Sequence, residues 1–446
     1  MTKNNSHLPH VVVVGGGFAG ITAVRNLRKA PVRITLIDRN PYSTFKPLLF
    51  QVANGALNAG DITFYLRSTR STVKNARFVL GELAHVNTDE KTIELTDGRS
   101  MKYDYLVLAG GTNAAFFGIP GAEEHTLPLY SRDQALDIRD RFYGLLDGLD
   151  ALESTDHFRV IVAGGGPTGV ETAGSLAEIR NDILNTLYPA LDPSQVEIDL
   201  VDMAPTVLGP FAEDTQQRAA AALRARGVEL WLGKAVKAVE EGRIKLQDSQ
   251  TKEETWYDAN MVIWSSGVGV EKAVGDWGIP QGRRGRIPVD DHMRVIGVEG
   301  VYAAGDMAQF GERGLPQLAQ PALQTGRHVA RHIAAILDGR AIEPFEYQEL
   351  GTMAFIGTGD AVAELPHLPH MDGLAAWIVW QGVHVMQLKS WRERFATAVN
   401  LASRYIFQSK AGDFNMGDYQ QFSQRVLEGK PYGTAALDKP VPAHHE

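Results

Sequence analysis

At 446 residues, 44% of them hydrophobic, the chain is long enough for two or three packed domains. It contains no cysteine, which excludes a disulfide scaffold, an iron–sulfur cluster, a thiolate zinc site and a redox-active cysteine pair. A formal net charge of -9 argues against a broad nucleic-acid surface, so no nucleic-acid partner is expected.

The first informative stretch is His10 to Val24, HVVVVGGGFAGITAV. Valines run directly into Gly15-x-Gly17-x-x-Gly20 and a helix-compatible segment, the order strand, phosphate-binding turn, helix. Gly15 lets the chain reverse, Gly17 lets backbone N–H groups approach a pyrophosphate, and Gly20 lets the helix pack close on the strand. The anion then lies at the positive end of a helix. This turn begins so near residue 1 that no charged-apolar-cleavage signal fits before it, and a cytoplasmic protein is expected. The next β-like run, Val32 to Ile37, ends at Asp38, about 20 residues on, where a carboxylate can accept from both ribose hydroxyls of an adenosine.

Arg39 to Ala53 opens on an Asn-Pro turn signal and follows no clean period, as suits a segment lying over a bound cofactor. Val79 to Thr96 and Met101 to Leu108 alternate around Asp97-Gly98 and predict an antiparallel ribbon returning to the main sheet. That return strand runs into the small residues Ala109-Gly110-Gly111-Thr112.

Arg159 to Ala177, RVIVAGGGPTGVETAGSLA, repeats the opening stretch with Gly164, Gly166 and Gly169. A second β-run, Val196 to Val201, ends at Asp202, and a second ribbon, Val228 to Trp256, leads into Met261 to Gly267. Two copies of one dinucleotide-binding unit are far more specific than either fingerprint alone. Between Gly169 and Asp202 lie about ten more residues than the ribose-acid spacing needs. Glu171 to Leu187 therefore reads as a longer helix, ended by a loop holding Pro189 and Pro193.

Val301 to Phe310 is a short strand running into Gly305-Asp306, where an acid can hydrogen-bond a ribityl or ribose hydroxyl or simply cap a turn. Ala319 to Ile336 predicts a helix with Pro321 in its first turn. His328 and His332 lie at i, i+4 beside Arg327 and Arg331 with no carboxylate near in sequence. They read as a solvated or cofactor-side face, and no metal site is expected.

Gly351 to Gly357 suits a strand, and Gly373 to Leu388 is uncharged but short of the roughly 20 apolar residues that span a bilayer. Lys389 to Lys410 sets Lys389, Arg392, Arg394, Arg404 and Lys410 against the single acid Glu393. On a helix, Trp391, Phe395, Val399, Ala402 and Ile406 share one face, the pattern of an interfacial helix on an anionic membrane. An amphipathic helix packed on the core or on a second subunit is the other reading. Residues 411–446 read as a tail or lid.

One dinucleotide unit suggests a nicotinamide enzyme; two suggest FAD held in one and a nicotinamide admitted to the other. The opening unit is the better FAD candidate, because the Gly305-Asp306 turn belongs to neither repeat and can return to complete it. The predicted architecture is α/β, with two Rossmann-like dinucleotide-binding domains. The FAD domain is discontinuous, residues 8–125 and 290–345, with the NADH domain, 126–289, inserted. A C-terminal membrane-associating helical region, 346–410, and the tail follow. Asp202 would repel a 2′-phosphate, which predicts NADH over NADPH.

GGGFAG from Gly15, FKPLLFQVA from Phe45, GGGPTGVE from Gly164, AAGD from Ala303 and AQPALQ from Ala319 resemble the type II NADH dehydrogenases, single-subunit NADH:quinone oxidoreductases, over roughly residues 8 to 410. The resemblance implies non-covalent FAD, NADH as donor and a membrane quinone, ubiquinone or menaquinone, as acceptor, without proton pumping. It also implies a homodimer attached peripherally at the cytoplasmic face of the membrane. It places FAD on Gly15, Gly17, Gly20, Asp38, Arg39, Lys46, Thr112, Gly305 and Asp306, and NADH on Gly164, Gly166, Gly169, Glu171 and Asp202. Gln320 and Gln324, one helical turn apart, would both point amides at a quinone carbonyl. Lys389 would reach flavin or quinone carbonyls as a cation. Two departures from the family pattern are Leu323 between the glutamines, where some members carry an aromatic or His, and the loosely matching KSWRER from Lys389.

Glu171 corresponds to the neutral Thr22 of the first repeat. Taken as a first-turn carboxylate it favours the helix dipole, whereas the family places it near the nicotinamide–flavin contact, orienting the donor or relaying protons. Disulfide-reducing flavoenzymes and sulfide:quinone oxidoreductases need cysteines that this chain lacks. A soluble NAD(P)H-dependent reductase of ferredoxin-reductase type and a non-enzymatic NADH-sensing flavoprotein are the alternatives.

Overall fold

The computed structural model describes residues 7–312, 314–406 and 427. The chain divides into two compact units, Met1–Thr44 with Thr63–Asn113 and Val268–Leu350, and Phe45–Ile62 with Ala114–Gly267 and Gly351–Glu446.

In the first unit the valines of His10–Val14 form the central strand of a five-stranded parallel sheet, in the order Val301–Ala303, Tyr105–Leu108, His10–Val14, Arg33–Asp38, Ala76–Leu80. Val11, Val12 and Val13 are wholly buried, because a parallel strand covered on both faces needs an unbroken apolar run rather than alternation. Helices Phe18–Asn26 and Ala319–Leu337 pack together where Gly326 lies against the Ala19 carbonyl, an approach that any Cβ would block.

The second unit repeats this order with Leu127–Pro128, Met261–Trp264, Phe158–Ala163, Val196–Asp202 and Val228–Leu232, again parallel throughout. Helix Pro167–Asp182 starts on a proline that needs no N–H partner and stops before Ile183; the short helix Leu184–Leu187 follows. The expected single helix to Leu187 is therefore two pieces.

Both ribbons are shorter than expected. Ala76–Leu80 and Val228–Leu232 are edge strands of the two parallel sheets, not ribbon strands. The ribbons are Leu83–Asn87, Thr92–Leu95 and Ser100–Lys102 in one unit, and Lys234–Glu240, Arg243–Asp248 and Glu254–Asp258 in the other.

The division also differs from the expected boundaries. Residues 268–289 fall in the first unit, where Ile287–Val289 pairs in parallel with Ala308–Phe310. Residues 45–62 fall in the second, where the Tyr143 hydroxyl donates to the Asn54 carbonyl at 2.9 Å. The C-terminal residues join that second unit through strand Thr352–Gly357, whose Ile356 carbonyl lies against Gly174 of helix Pro167–Asp182. Helices Gly373–Gln387 and Trp391–Ile406 follow, and the expected tail 411–446 lies outside the described residues apart from residue 427.

Candidate functional site

In the first unit Gly15 holds φ at 105°, and a Cβ there would run into the Ala109 carbonyl. Gly17 caps helix Phe18–Asn26 and faces open space, so nothing of the protein stands where a pyrophosphate would approach the helix N-terminus. Asp38 Oδ2 accepts from the Gly16 N–H at 2.6 Å and Oδ1 from the Asn40 N–H at 2.7 Å.

Thr112 donates to Asp306 Oδ2 at 3.2 Å, which brings together the two small-residue strand ends. The Gly305 N–H donates to Thr325 Oγ1 at 3.0 Å, fixing the start of helix Ala319–Leu337 beside this turn. Val14, Gly15, Asp38, Arg39, Trp277 and Met307 line part of one pocket. Its glycine cradle with adjacent carboxylate suits the adenosine end of a dinucleotide.

The expected glutamine pair is divided in task. Gln324 Nε2 donates to the Gln348 carbonyl at 2.8 Å while its Oε1 accepts from the Gln348 N–H at 3.0 Å, so this amide fastens a chain segment. Gln320 stands one turn earlier, in the first turn of the helix. His328 and His332 do not form a solvated face. His332 is buried, its Nδ1 lies 3.0 Å from the Tyr302 hydroxyl, and the His292 ring stacks on it at 4.6 Å. Burial, with the neighbouring imidazoles, pushes His328 down to about 4.

The second unit repeats the same arrangement. Gly164 holds φ at 124°, and Gly166, where a Cβ would meet nothing, caps helix Pro167–Asp182. A Cβ on Gly169 would run into the Gly164 carbonyl, as one on Gly20 would into Gly15. Asp202 Oδ2 accepts from the Gly165 N–H at 2.5 Å and Oδ1 from the Ala204 N–H at 2.7 Å, matching Asp38 bond for bond.

Glu171 corrects the helix-dipole reading. It is the fifth residue of its helix, beyond the first turn, and only 8% exposed. Its Oε1 accepts from the Phe355 N–H at 3.3 Å. Burial pushes its carboxyl up to about 8, against the opposing pull of that N–H and of the Trp380 indole. Phe50, Phe355 and Trp380 wall this region with ring centroids 5.2 to 5.8 Å apart. The His384 ring stacks on Trp380 at 3.9 Å, and its Nδ1 lies 2.7 Å from the Trp380 carbonyl, which can only accept. The proton is therefore on Nδ1, and burial pushes His384 down to about 4, so it is neutral near pH 7. None of these aromatic partners was legible from sequence spacing.

Lys46 lies 3.4 Å over the Tyr130 ring. Lys389 lies in the turn between helices Gly373–Gln387 and Trp391–Ile406, its N–H donating to Glu393 Oε2 at 3.2 Å. Glu393 also accepts from the Ser390 hydroxyl at 2.8 Å, so the single acid of this basic segment caps its helix. On that helix Trp391, Phe395, Val399 and Ala402 face outward while Glu393 and Thr397 are buried; the Ile406 side chain lies outside the description. Leu374, Ile378 and Met386 of the preceding helix are exposed too. No described helix is long and apolar enough to cross a membrane. Elsewhere Asp214, Glu364 and His370 bring ligand atoms within 4.8 Å of one another; His370 pairs with Asp214, and Glu364 accepts from the Ala212 N–H at 2.8 Å.

The pyridine nucleotide-disulphide oxidoreductase family model matches residues 9–326, which defines the class as a two-dinucleotide-domain oxidoreductase. The NDH2 C-terminal domain model matches residues 350–409. The chain belongs to the type II NADH:quinone oxidoreductases. It is 31% identical over 434 residues to type II NADH:quinone oxidoreductase Ndh of Mycobacterium tuberculosis, covering 94% of this chain and 92% of that one. It is 30% identical over 380 residues to a Staphylococcus aureus type II NADH:quinone oxidoreductase, covering 82% and 92%. The solved NDH2 of Plasmodium falciparum in complex with NADH has the same fold, with a TM-score of 0.82 at 21% identity over 89% of this chain and 98% of that one.

Proposed function

We propose that each unit carries one dinucleotide, FAD in the first and NADH in the second. The protein is an FAD-dependent NADH:quinone oxidoreductase, as its family membership supports. The observation that carries the assignment of cofactors is the doubled lock of a strand-end acid on a glycine loop, to which the first unit alone adds Asp306 with Thr112. FAD, when bound, takes a hydride from NADH and yields two electrons to a quinone.

The protein's own groups bind, orient and hold protons. Gly15, Gly17 and Gly20 admit the FAD pyrophosphate, Asp38 accepts from its ribose, and Asp306, steadied by Thr112, accepts from a further hydroxyl. Gly164, Gly166, Gly169 and Asp202 do the same for NADH, and the Asp202 charge rejects a 2′-phosphate. Gln320 donates to a quinone carbonyl, and Lys389 adds a positive charge for flavin or quinone oxygens. Glu171 carries its carboxyl proton at neutral pH, ready to be given up during turnover.

The outward apolar face of helix Trp391–Ile406, with Arg392 and Arg394 beside it, suits an anionic lipid surface and peripheral attachment at the cytoplasmic face of the membrane. Anaerobic addition of NADH to the purified protein should bleach flavin absorbance, and a ubiquinone or menaquinone analogue should restore it. A spectrum unmoved by either overturns the reading.

A further inference from the structure

The ribose-binding acid Asp38 is followed at once by a cation with two carboxylate partners. Arg39 Nη1 and Nη2 donate to Glu271 Oε2 and Oε1 at 2.9 and 2.5 Å, a bidentate pair, and Nη1 also reaches Glu82 Oε1 at 3.3 Å. Glu271 Oε1 accepts in addition from the Asn113 amide at 3.3 Å. These groups come from separate parts of the first unit: the end of one strand, the entry to the antiparallel ribbon, and the residue before the turn Lys272–Trp277. Arg39, Glu82 and Glu271 all line the pocket that holds Gly15 and Asp38, and Trp277, only 8% exposed, lines it from the same turn.

We propose that Arg39, Glu82 and Glu271 form a latch across the adenosine end of the FAD site and set how fast the cofactor leaves. The inference rests on the reading that the first unit holds FAD. Residues 39 and 81–83 line the pocket next to Asp38, so with a ribose on Asp38 a planar guanidinium held at its edge by two carboxylates would be placed to cover the adenine. Two glutamates against one arginine, with Asp38 adjacent, leave this end of the pocket net negative. A 2′-phosphate on a ribose held by Asp38 would meet this charge directly, whereas the FAD pyrophosphate would lie at the glycine turn. The segment carrying Glu271 and Trp277 is drawn to the strand end by the bidentate pair, so release requires that pair to open.

Side-chain exposure of 46% at Arg39 and Glu82 and 30% at Glu271 makes this a solvent-screened network. Its loss should change a rate by several-fold and leave the fold standing.

The test is FAD release from the loaded full-length protein, followed by the rise of flavin fluorescence after dilution. Glu271→Gln should release FAD about twofold to fivefold faster, and Glu82→Gln by a smaller factor. High salt should speed release from the wild type much more than from Glu271→Gln. Release rates and salt dependence in Glu271→Gln and Arg39→Met equal to wild type overturn the latch, while retained FAD still supports the parent reading. If the variants lower the melting point of the flavin-free protein as much as that of the loaded one, the pair is structural and the latch is overturned. If no preparation, wild type included, takes up FAD, the parent reading falls.

Discussion

The carboxylate of Glu171 accepts from the backbone N–H of Phe355 at 3.3 Å, and no basic side chain is among the groups that shift it. A lone buried carboxylate is costly to ionise, so burial pushes it up to about 8 and the group is protonated near neutrality.

Quinone reduction by the NADH-reduced protein should slow as pH rises through about 8, the point where Glu171 loses its proton. Glu171→Gln, uncharged at any pH, should turn over about tenfold to a hundredfold more slowly and lack this limb of the profile. Stability follows the same group. Its folded value lies above the ordinary one, so its contribution to folding is fully present below the ordinary value and lost as pH rises through about 8. Between the ordinary carboxyl range and about pH 8 the melting point should fall more steeply with pH for the wild type than for the variant, and above about 8 the two should run parallel. Rate and melting profiles that overlay would remove Glu171 as a proton-holding group.

Asp202→Asn separates the two tasks of that carboxylate. The amide oxygen can still accept from the Gly165 N–H, while the charge and one acceptor are gone. The ratio of kcat/KM for NADH over NADPH should drop by about tenfold, with flavin content unchanged, because Asp38 does the corresponding work in the other unit. An unchanged ratio would defeat Asp202 as the ribose reader.

Gln320 and Gln324 should part company under mutation. Gln324→Ala removes two hydrogen bonds to Gln348 and should cost about 1–2 kcal/mol of stability, read as a lower denaturant midpoint. Gln320→Ala should leave that midpoint in place and slow flavin reoxidation by quinone. Stopped-flow reoxidation at the wild-type rate in Gln320→Ala would refute its role at the quinone.

The two glycine turns and their acids were readable because each is a local pattern: β-branched residues, glycines at fixed offsets, then a strand ending in Asp38 or Asp202. Alternation marks strands but not the sheet they join: the expected ribbons start at Val79 and Val228, whereas Val79–Leu80, the end of Ala76–Leu80, and Val228–Leu232 are claimed by parallel neighbours. The surroundings of Glu171 were hidden for another reason. Its partner Phe355 is 184 residues away, and Arg39 and Glu271 are 232 apart, separations across which spacing carries no information. The dipole reading of Glu171 failed on a boundary: the helix starts at Pro167, which places residue 171 past the exposed first-turn amides.

Trp391 and Phe395 are 77% and 64% exposed, whereas Thr397 on the same helix is fully buried and donates to the Asp61 carbonyl at 3.3 Å. Asn400 donates to the Asp61 carboxylate at 2.7 Å. The helix is thus fastened to its unit partly through polar side chains, and its aromatic side chains face outward, the reverse of a helix packed on a water-soluble core. Transferring one such aromatic side chain out of water is worth about 2 kcal/mol, so Trp391→Ser and Phe395→Ser should each weaken binding to anionic vesicles by roughly tenfold or more. Because these side chains are mostly exposed, the melting point in lipid-free buffer should hardly move. Arg392 and Arg394 add attraction that salt screens, so wild-type binding should also fall as ionic strength rises. Vesicle sedimentation of the double variant distinguishes the cases: wild-type binding would mean that this face meets a protein surface, a second copy of the chain being the simplest, and not lipid.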